Sequence, residues 1–286
     1  MWSRIMALGL LLALGFACGK QRGFDSIREE AAELGNRHYQ NQMGVIYQTG
    51  EEGETNYVKA LKWYIAAATP TNHVIQEGET LVNILTQFRV SSWDLKKNEG
   101  NKSNPALLNE ENKVDLSTLK PGTKIVIPGS PQAMYNVGAI YEVRYKELGL
   151  NQEDALEKAV EWHAKGAEAG FIRAQFAYGY AFEYGQGVEK DLKQAGIWYE
   201  LSAKQGLAAA QERLGQLHVT GFGDINNRSL PKAYLWLSIA ERTLKSEGKN
   251  PGKGLTKAID TCRSSLPADE RVRMDRLIED FKAFEN

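Results

Sequence analysis

Four tryptophans sit in four versions of one short phrase, and that repetition limits the fold more than any other feature of the chain. ALKWYIAAA surrounds Trp63, AVEWHAKGAEAG surrounds Trp162, AGIWYELSAKQG surrounds Trp198 and AYLWLSIAE surrounds Trp236. Upstream of each runs a second phrase: MGVIY, VGAIY, YGYAF and LGQLH. Its glycines are Gly44, Gly138, Gly179 and Gly215, and three residues after each stands a ring: Tyr47, Tyr141, Phe182 and His218. Apolar and small residues at spacings of three and four predict helices. Gly-rich turns such as YGQGVEKD separate the two phrases. Each unit is thus a helix–turn–helix that cannot bury its apolar face alone, and stacking the units buries it. Glycine and alanine allow the helices to approach closely, and the Trp and Tyr side chains are expected to fill the space between adjacent pairs. The predicted fold class is mainly α, an α-solenoid.

The spacing breaks once. Trp162 and Trp198 are 36 residues apart and Trp198 and Trp236 are 38, but Trp63 and Trp162 are 99 apart. About 60 residues are surplus for a repeat of this period. They begin with HVIQEGETL, at His73. HVIQ alternates like a short strand, and EGET makes a tight turn with Thr80 placed to cap a helix. In TLVNILTQF, residues Leu81, Ile84, Leu85 and Phe88 share one face. SSWDL begins a second helix, and LKPGTKIVIP closes with a Pro-Gly turn and a second apolar strand. The order is strand, helix, helix, strand. Two placements of the second helix are open: Ser91–Asn98, or a restart over Pro105–Glu111, which the family pattern named below favours.

Both parts resemble known families. Residues 174–206 follow the Sel1-like repeat pattern along their length; 132–170 match with a longer turn, ELGLNQED, 208–240 with Pro231 opening the second helix, and 39–68 more weakly. LPADERVRMDRLIEDFKAF resembles the capping helices that close such arrays, with Thr256–Ser264 expected as the helix before it. Residues 73–128 resemble the LysM domain in HVIQEGETLVNILTQFRVSSWDL and LKPGTKIVIP, with extra residues between them. That resemblance implies a βααβ module that binds N-acetylglucosamine polymers, peptidoglycan or chitin, in a shallow groove between two loops. One loop supplies Gly78, Glu79, Thr80 and Leu81. The other lies within Asn112 to Leu119 and supplies Asn112, Val114, Thr118 and Leu119. A purely structural account also covers the first loop: Gly78 and Thr80 as turn and cap, Leu81 as core.

The N-terminus differs in kind. MWSR carries one positive charge, and Ile5–Ala17 is an apolar run of 13 residues, short of the roughly 20 that span a bilayer. This pattern predicts an export signal. LGFAC resembles the lipobox of bacterial lipoproteins, with Gly15 and Phe16 departing from its usual residues, and the resemblance implies lipidation at Cys18. Gly15 and Ala17 equally suit ordinary signal cleavage at the same bond. That would leave Cys18 a free thiol able to pair with Cys262 in an oxidising compartment. Gly19 follows the cysteine where inner-membrane lipoproteins commonly carry aspartate. The expected location is therefore the outer membrane, facing the periplasm.

The organisation expected is a signal peptide over 1–17, an N-terminal segment and first repeat over 18–70, a LysM domain over 71–129, and repeats with capping helices over 130–286. Net charge is −1, which predicts no nucleic-acid partner. Two cysteines are too few for a disulfide framework or cysteine-based metal site. Of the four histidines, none pairs at metal-ligand spacing; His163 stands where Tyr64 and Tyr199 stand, and His218 fills a ring position. SEGKNPGKGLT is one residue short of a phosphate loop and is read as a linker between helices. No catalytic residue, metal or cofactor is expected. The functional expectation is a non-catalytic envelope lipoprotein that grips peptidoglycan through the LysM module and a protein partner, not identified by the sequence, through the solenoid. The alternatives are a scaffold in which the module is only a spacer or oligomer contact, and an enzyme of peptidoglycan turnover.

Overall fold

The computed structural model describes residues 32–33, 35–51, 53–88, 95 and 121–282. Among them are eleven α-helices and two short strands, in the order α1 (Arg37–Thr49), α2 (Tyr57–Ala68), β1 (Thr71–Val74), α3 (Leu81–Phe88), β2 (Lys124–Ile127), α4 (Pro131–Arg144), α5 (Gln152–Glu168), α6 (Ile172–Tyr184), α7 (Leu192–Lys204), α8 (Ala208–Thr220), α9 (Leu230–Ser246), α10 (Gly252–Ser264) and α11 (Ala268–Asp280). The mainly α class expected from the repeats is what is seen. The chain falls into two compact units, one running to Ile140 with Glu147–Gly149, the other comprising Tyr141–Lys146 and everything from Leu150 on.

The helix pairs close through the repeat glycines. A Cβ on Gly44 would sit 2.4 Å from the Tyr64 ring, one on Gly179 2.9 Å from the Tyr199 ring, and one on Gly215 2.7 Å from Leu237. Tyr64, Tyr199 and Leu237 each directly follow a repeat tryptophan, and each is essentially fully buried. Trp63, Trp162 and Trp198 are only half-buried. Trp198 leans on Tyr178 with ring centroids 5.1 Å apart, and the Lys165 ammonium lies 4.3 Å from the Trp162 ring centre. The expectation that Trp and Tyr fill this space thus holds for Tyr64, Tyr199 and the buried Trp236, and is corrected for the other three tryptophans. One residue, about 100° of helical turn, separates the two side chains, and the second of them points at the glycine.

The turns are built from caps. Gly50, Gly185 and Gly221 end α1, α6 and α8 in the left-handed conformation, where glycine carries no Cβ penalty. Asn56, Asn151 and Asp191 cap the helices that follow. In three copies the residue just before the second helix donates its backbone N–H to the carbonyl of the ring residue: Asn56 to Tyr47 at 2.7 Å, Asp191 to Phe182 at 3.0 Å and Ser229 to His218 at 3.0 Å. The ring position is therefore fixed by backbone even where the turn between is longer.

The second unit ends as the sequence predicts, with α10 and α11 against α9. Ala233, Leu237, Leu255, Ile259, Cys262 and Met274 share one buried cluster. Arg242 donates to the last carbonyls of α11, reaching Glu279 at 3.3 Å and Phe281 at 2.7 Å. α10 begins at Gly252 rather than Thr256, because Pro251 starts the helix and the Asn250 side chain accepts the Gly252 N–H at 3.0 Å. Much of the expected linker is thus helix. Cys262 is 2% exposed and burial pushes its thiol up, so a bridge to it would require this core to open.

Replacing Tyr199 by Ala should cost about 3–5 kcal/mol, and Trp198→Ala at most about half of that. Denaturant midpoints of the two variants measure both; an equal or larger loss for Trp198 would reverse their roles.

His218 supplies a pH test. Its ring packs edge-on against Phe222 at 5.1 Å. Burial first, and then the Lys232 ammonium, push its pKa from 6.5 down to about 4, with Glu200 opposing. The unfolded chain takes up this proton at higher pH than the folded one. The stability from the neutral ring is therefore present above pH 6.5 and lost as the pH falls through 4. Thermal melts should fall more steeply over that window in the wild type than in His218→Phe. Parallel curves would remove His218 from the account.

Candidate functional site

The inserted module is built on the antiparallel pair β1–β2, with Thr71 opposite Ile127 and Val74 opposite Lys124. β1 starts two residues before the expected HVIQ, since the chain is extended directly after Pro70. Ile75 continues the pairing, donating to Thr123 O and accepting from Gly122 N. Ile75, Ile84, Phe88, Leu95, Ile125 and Ile127 form the module's own core. Of the two placements for the second helix, the structure describes Leu95 alone, helical and fully buried, within the first; Pro105–Glu111 lies outside the described residues.

The predicted first loop is a turn from Gln76 to Glu79, closed by Glu79 N–H donating to Gln76 O at 3.1 Å. Gly78 has φ of 76°, a conformation that favours glycine. Gln76, Glu77 and Gly78 are exposed. Thr80 is the helix cap the sequence predicts. Its hydroxyl accepts the Asn83 N–H at 3.2 Å, while the Asn83 side chain accepts the Thr80 N–H at 3.1 Å and the Thr80 hydroxyl. This is a capping box with Asn at the third position. Glu79 points inward: its side chain is 6% exposed, and it accepts from the His73 ring at 2.8 Å and from Gln76 N–H at 2.9 Å. The His73 ring in turn meets Phe88 edge-on at 5.2 Å. Leu81 is the first residue of α3. The structure thus brings residues 78–81 together on one turn. Asn112, Val114, Thr118 and Leu119, and the lipidation candidate Cys18, lie outside the described residues.

A residue that sequence reasoning missed holds the base of the module. Arg37, the first residue of α1, is 3% exposed. Its Nη2 donates to Ile127 O at 2.7 Å, Thr69 O at 3.2 Å and Thr71 Oγ1 at 3.2 Å. One guanidinium nitrogen therefore ties the end of α2, the start of β1 and the end of β2. Burial pushes its pKa down to about 10. The exit is equally tight. Ser130 N–H donates to Ala67 O at 2.9 Å, and a Cβ on Gly129 would fall 1.8 Å from Ala68 O.

In the second unit, a groove of about 420 Å³ runs between α7, α8 and α9, with Phe222, Leu235 and Trp236 in its wall and Lys193, Glu200 and Lys232 at its edge. His163 is fully buried and 3.2 Å from Glu142 Oε1, a packed pair in the position where the first and third copies carry tyrosine. No cluster of metal-binding side chains occurs among the described residues.

Residues 38–69, 131–171, 172–207 and 208–242 match the Sel1 repeat, and residues 73–128 match the LysM domain. The chain is 34% identical over 85 residues to chitin synthase regulator SKT5 of Saccharomyces cerevisiae, covering 28% of this chain and 11% of that protein. It is 43% identical over 58 residues to chitin synthase regulatory factor 3 of Schizosaccharomyces pombe, covering 20% and 6%. The match therefore spans about a tenth or less of those proteins' length. Among solved structures, a Sel1 repeat protein from Oxalobacter formigenes aligns over 88% of this chain and 76% of its own, with TM-score 0.50 and 20% identity, and shows the fold. The protective antigen c5321 of uropathogenic Escherichia coli, which has the SLR fold, aligns over 88% of this chain and 46% of its own, with TM-score 0.44 and 27% identity. Glycine-closed helix pairs in three copies, the four matching segments and the hairpin-based module between the first two lead to one conclusion: the chain belongs to the Sel1 repeat family and carries a LysM domain inserted between its first and second repeats.

Proposed function

We propose that this protein is a non-catalytic cell-envelope lipoprotein that holds N-acetylglucosamine glycan, peptidoglycan in the first instance, through its LysM domain and a protein partner through its Sel1 repeats. The observation that carries this reading is the exposed turn over Gln76–Gly78. Acetamido groups need a donor and an acceptor close together, and peptide groups at an exposed turn offer both. A shallow turn desolvates few groups, so each site is weak. The matches to chitin synthase regulators support a binding rather than a catalytic role, and chitin is a second polymer of the same sugar. Lipid at Cys18, with Gly19 after it, is the proposed anchor, and the outer membrane facing the periplasm the proposed location.

One observation favours a second reading. Thr80 and Glu79 are both engaged within the module, and Arg37 fastens the module to the first repeat, as a rigid spacer would require. Sedimentation with purified peptidoglycan separates the two. The full chain should pellet with the polymer. A chain in which residues 71–129 are replaced by a short Gly-Ser linker should not. That variant must also carry Arg37→Met, because the excision removes two of the guanidinium's three acceptors. Equal sedimentation of both chains would leave the spacer reading standing.

The anchor is tested separately. Cys18→Ala should move the protein from the membrane to the soluble envelope fraction, and unchanged fractionation would dismiss lipidation at that residue.

A further inference from the structure

Glu79 belongs to the turn that the glycan reading uses, yet its carboxylate faces away from solvent. Its side chain is 6% exposed and that of His73 17%. One oxygen, Oε2, accepts both the Gln76 N–H at 2.9 Å and the His73 ring N–H at 2.8 Å. The first bond returns across the turn to its opening residue. The second crosses to β1, where the imidazole is wedged edge-on against Phe88 of α3. A continuous set of contacts therefore runs from the exposed turn through Glu79 and His73 into the module's core. Gln76 adds a further tie, its amide donating to Val74 O at 2.6 Å. What remains outward is the turn's own backbone around Gly78.

We propose that Glu79 and His73 are a positioning pair for glycan recognition: they hold the exposed peptide groups of the Gln76–Gly78 turn in place and do not touch the sugar. This rests on the LysM domain being the glycan-binding element. An inward carboxylate that already accepts two hydrogen bonds has little left to offer a sugar hydroxyl. The turn's geometry is what the pair supplies. Without it, the turn must be ordered when glycan binds, and that ordering opposes affinity.

The pairing makes substitutions behave in a way that a contact residue does not. Glu79→Gln keeps an oxygen able to accept both N–H groups. Glu79→Ala removes it. His73→Phe keeps a ring against Phe88 but has no N–H to give. The full chain and these variants, with the double variant His73→Phe/Glu79→Ala, are titrated with soluble N-acetylglucosamine oligomers and sedimented with peptidoglycan. Amide exchange at residue 79, whose N–H closes the turn on Gln76 O, is read on the same proteins without glycan. Positioning predicts loss of about tenfold in affinity for Glu79→Ala and a loss of the same order for His73→Phe. It predicts a double variant no worse than the weaker single one, and near-wild-type affinity for Glu79→Gln. It also predicts faster exchange at the residue 79 amide, after correction for intrinsic rate, in Glu79→Ala and His73→Phe, with Glu79→Gln unchanged. Direct sugar contact by Glu79 predicts otherwise: affinity lost in Glu79→Ala, full affinity in His73→Phe, and exchange unaltered by Glu79→Ala. That result overturns the proposal. If the wild-type chain binds neither oligomer nor polymer, the glycan reading falls on its own. The exchange arm then still decides the pair, with unaltered turn protection in Glu79→Ala overturning it. Thermal melts of every variant exclude unfolding as the cause, and Glu79→Gln serves where Glu79→Ala does not fold.

Discussion

The close contact between a glycine on the first helix and the residue after the tryptophan on the second, seen in the first, third and fourth repeats, is what the helix pairs depend on. With a Cβ at Gly44, Gly179 or Gly215, the facing side chain would have to move by a large fraction of an ångström or more. Helices this close permit little sliding, so the contact sets the register of each pair. It also brings a polar tip into the interior, which costs free energy unless it finds a partner. The partner stands four residues, about one helical turn, after the glycine. The Tyr64 hydroxyl donates to Gln48 at 2.8 Å and the Tyr199 hydroxyl to Glu183 at 2.6 Å, and both hydroxyls are pushed up by burial. His163 pairs with Glu142, four residues after Gly138. In the last copy the two positions are Leu237 and Val219, and both are apolar. Either the pair is polar on both sides or on neither, as the cost of an unpaired buried donor requires.

The same economy explains how some sixty residues can be looped out of such an array. Each later junction is closed by one backbone bond from the residue before the next helix to a carbonyl near the end of the previous one: Phe171 N–H to Gly166 O at 3.0 Å, and Leu207 N–H to Ser202 O at 3.3 Å. Those carbonyls lie four residues after Trp162 and Trp198. At the junction carrying the insert, Ser130 N–H donates to Ala67 O at 2.9 Å, four residues after Trp63. The repeat-to-repeat bond is therefore preserved across the LysM domain. The strand pairing that puts Thr71 opposite Ile127 brings the two ends together at no expense to the flanking helices, which is the usual condition for tolerated domain insertion.

Much of this was legible in the sequence because repetition displays it. Four glycines with rings at a fixed offset identify the helix pairs, and one anomalous spacing identifies the insert. Packing by the tyrosines was expected, but the tryptophans were given an equal share, because Tyr64, His163, Tyr199 and Leu237 differ in chemistry, whereas the tryptophans do not. A second signal was available and went unread: glutamine stands four residues before the repeat glycine at Gln40, Gln175 and Gln211. Each reaches back eight residues to a backbone carbonyl, Ala32, Ala167 or Ala203. The exception is Met134, in the copy that follows the insert. Arg37 was not legible at all, since its acceptors lie 32, 34 and 90 residues away. Nor does a six-residue spacing between His73 and Glu79 reveal which way a carboxylate turns; the fold decides that.

Arg37 poses the sharper physical question, because a buried guanidinium is an expensive way to fasten a domain. Desolvation pushes its pKa down to about 10, and its Nε and Nη1 find no partner among the described residues. The charge is met by backbone oxygens, one of them at the C-terminal end of α2, where the helix dipole is negative. A methionine of similar length would fill the space without that penalty, and buried ionic groups often contribute less stability than apolar replacements. A methionine would not, however, specify direction. Three acceptors from three chain segments share the two N–H groups of one nitrogen, which favours one arrangement of the module's two ends and the last carbonyl of the first repeat. Contact area alone would allow the small module to tilt about its narrow neck; directional bonds do not. For the proposed glycan site this matters, because a turn held at a fixed angle to the first repeat would spend none of its binding free energy on orienting the module.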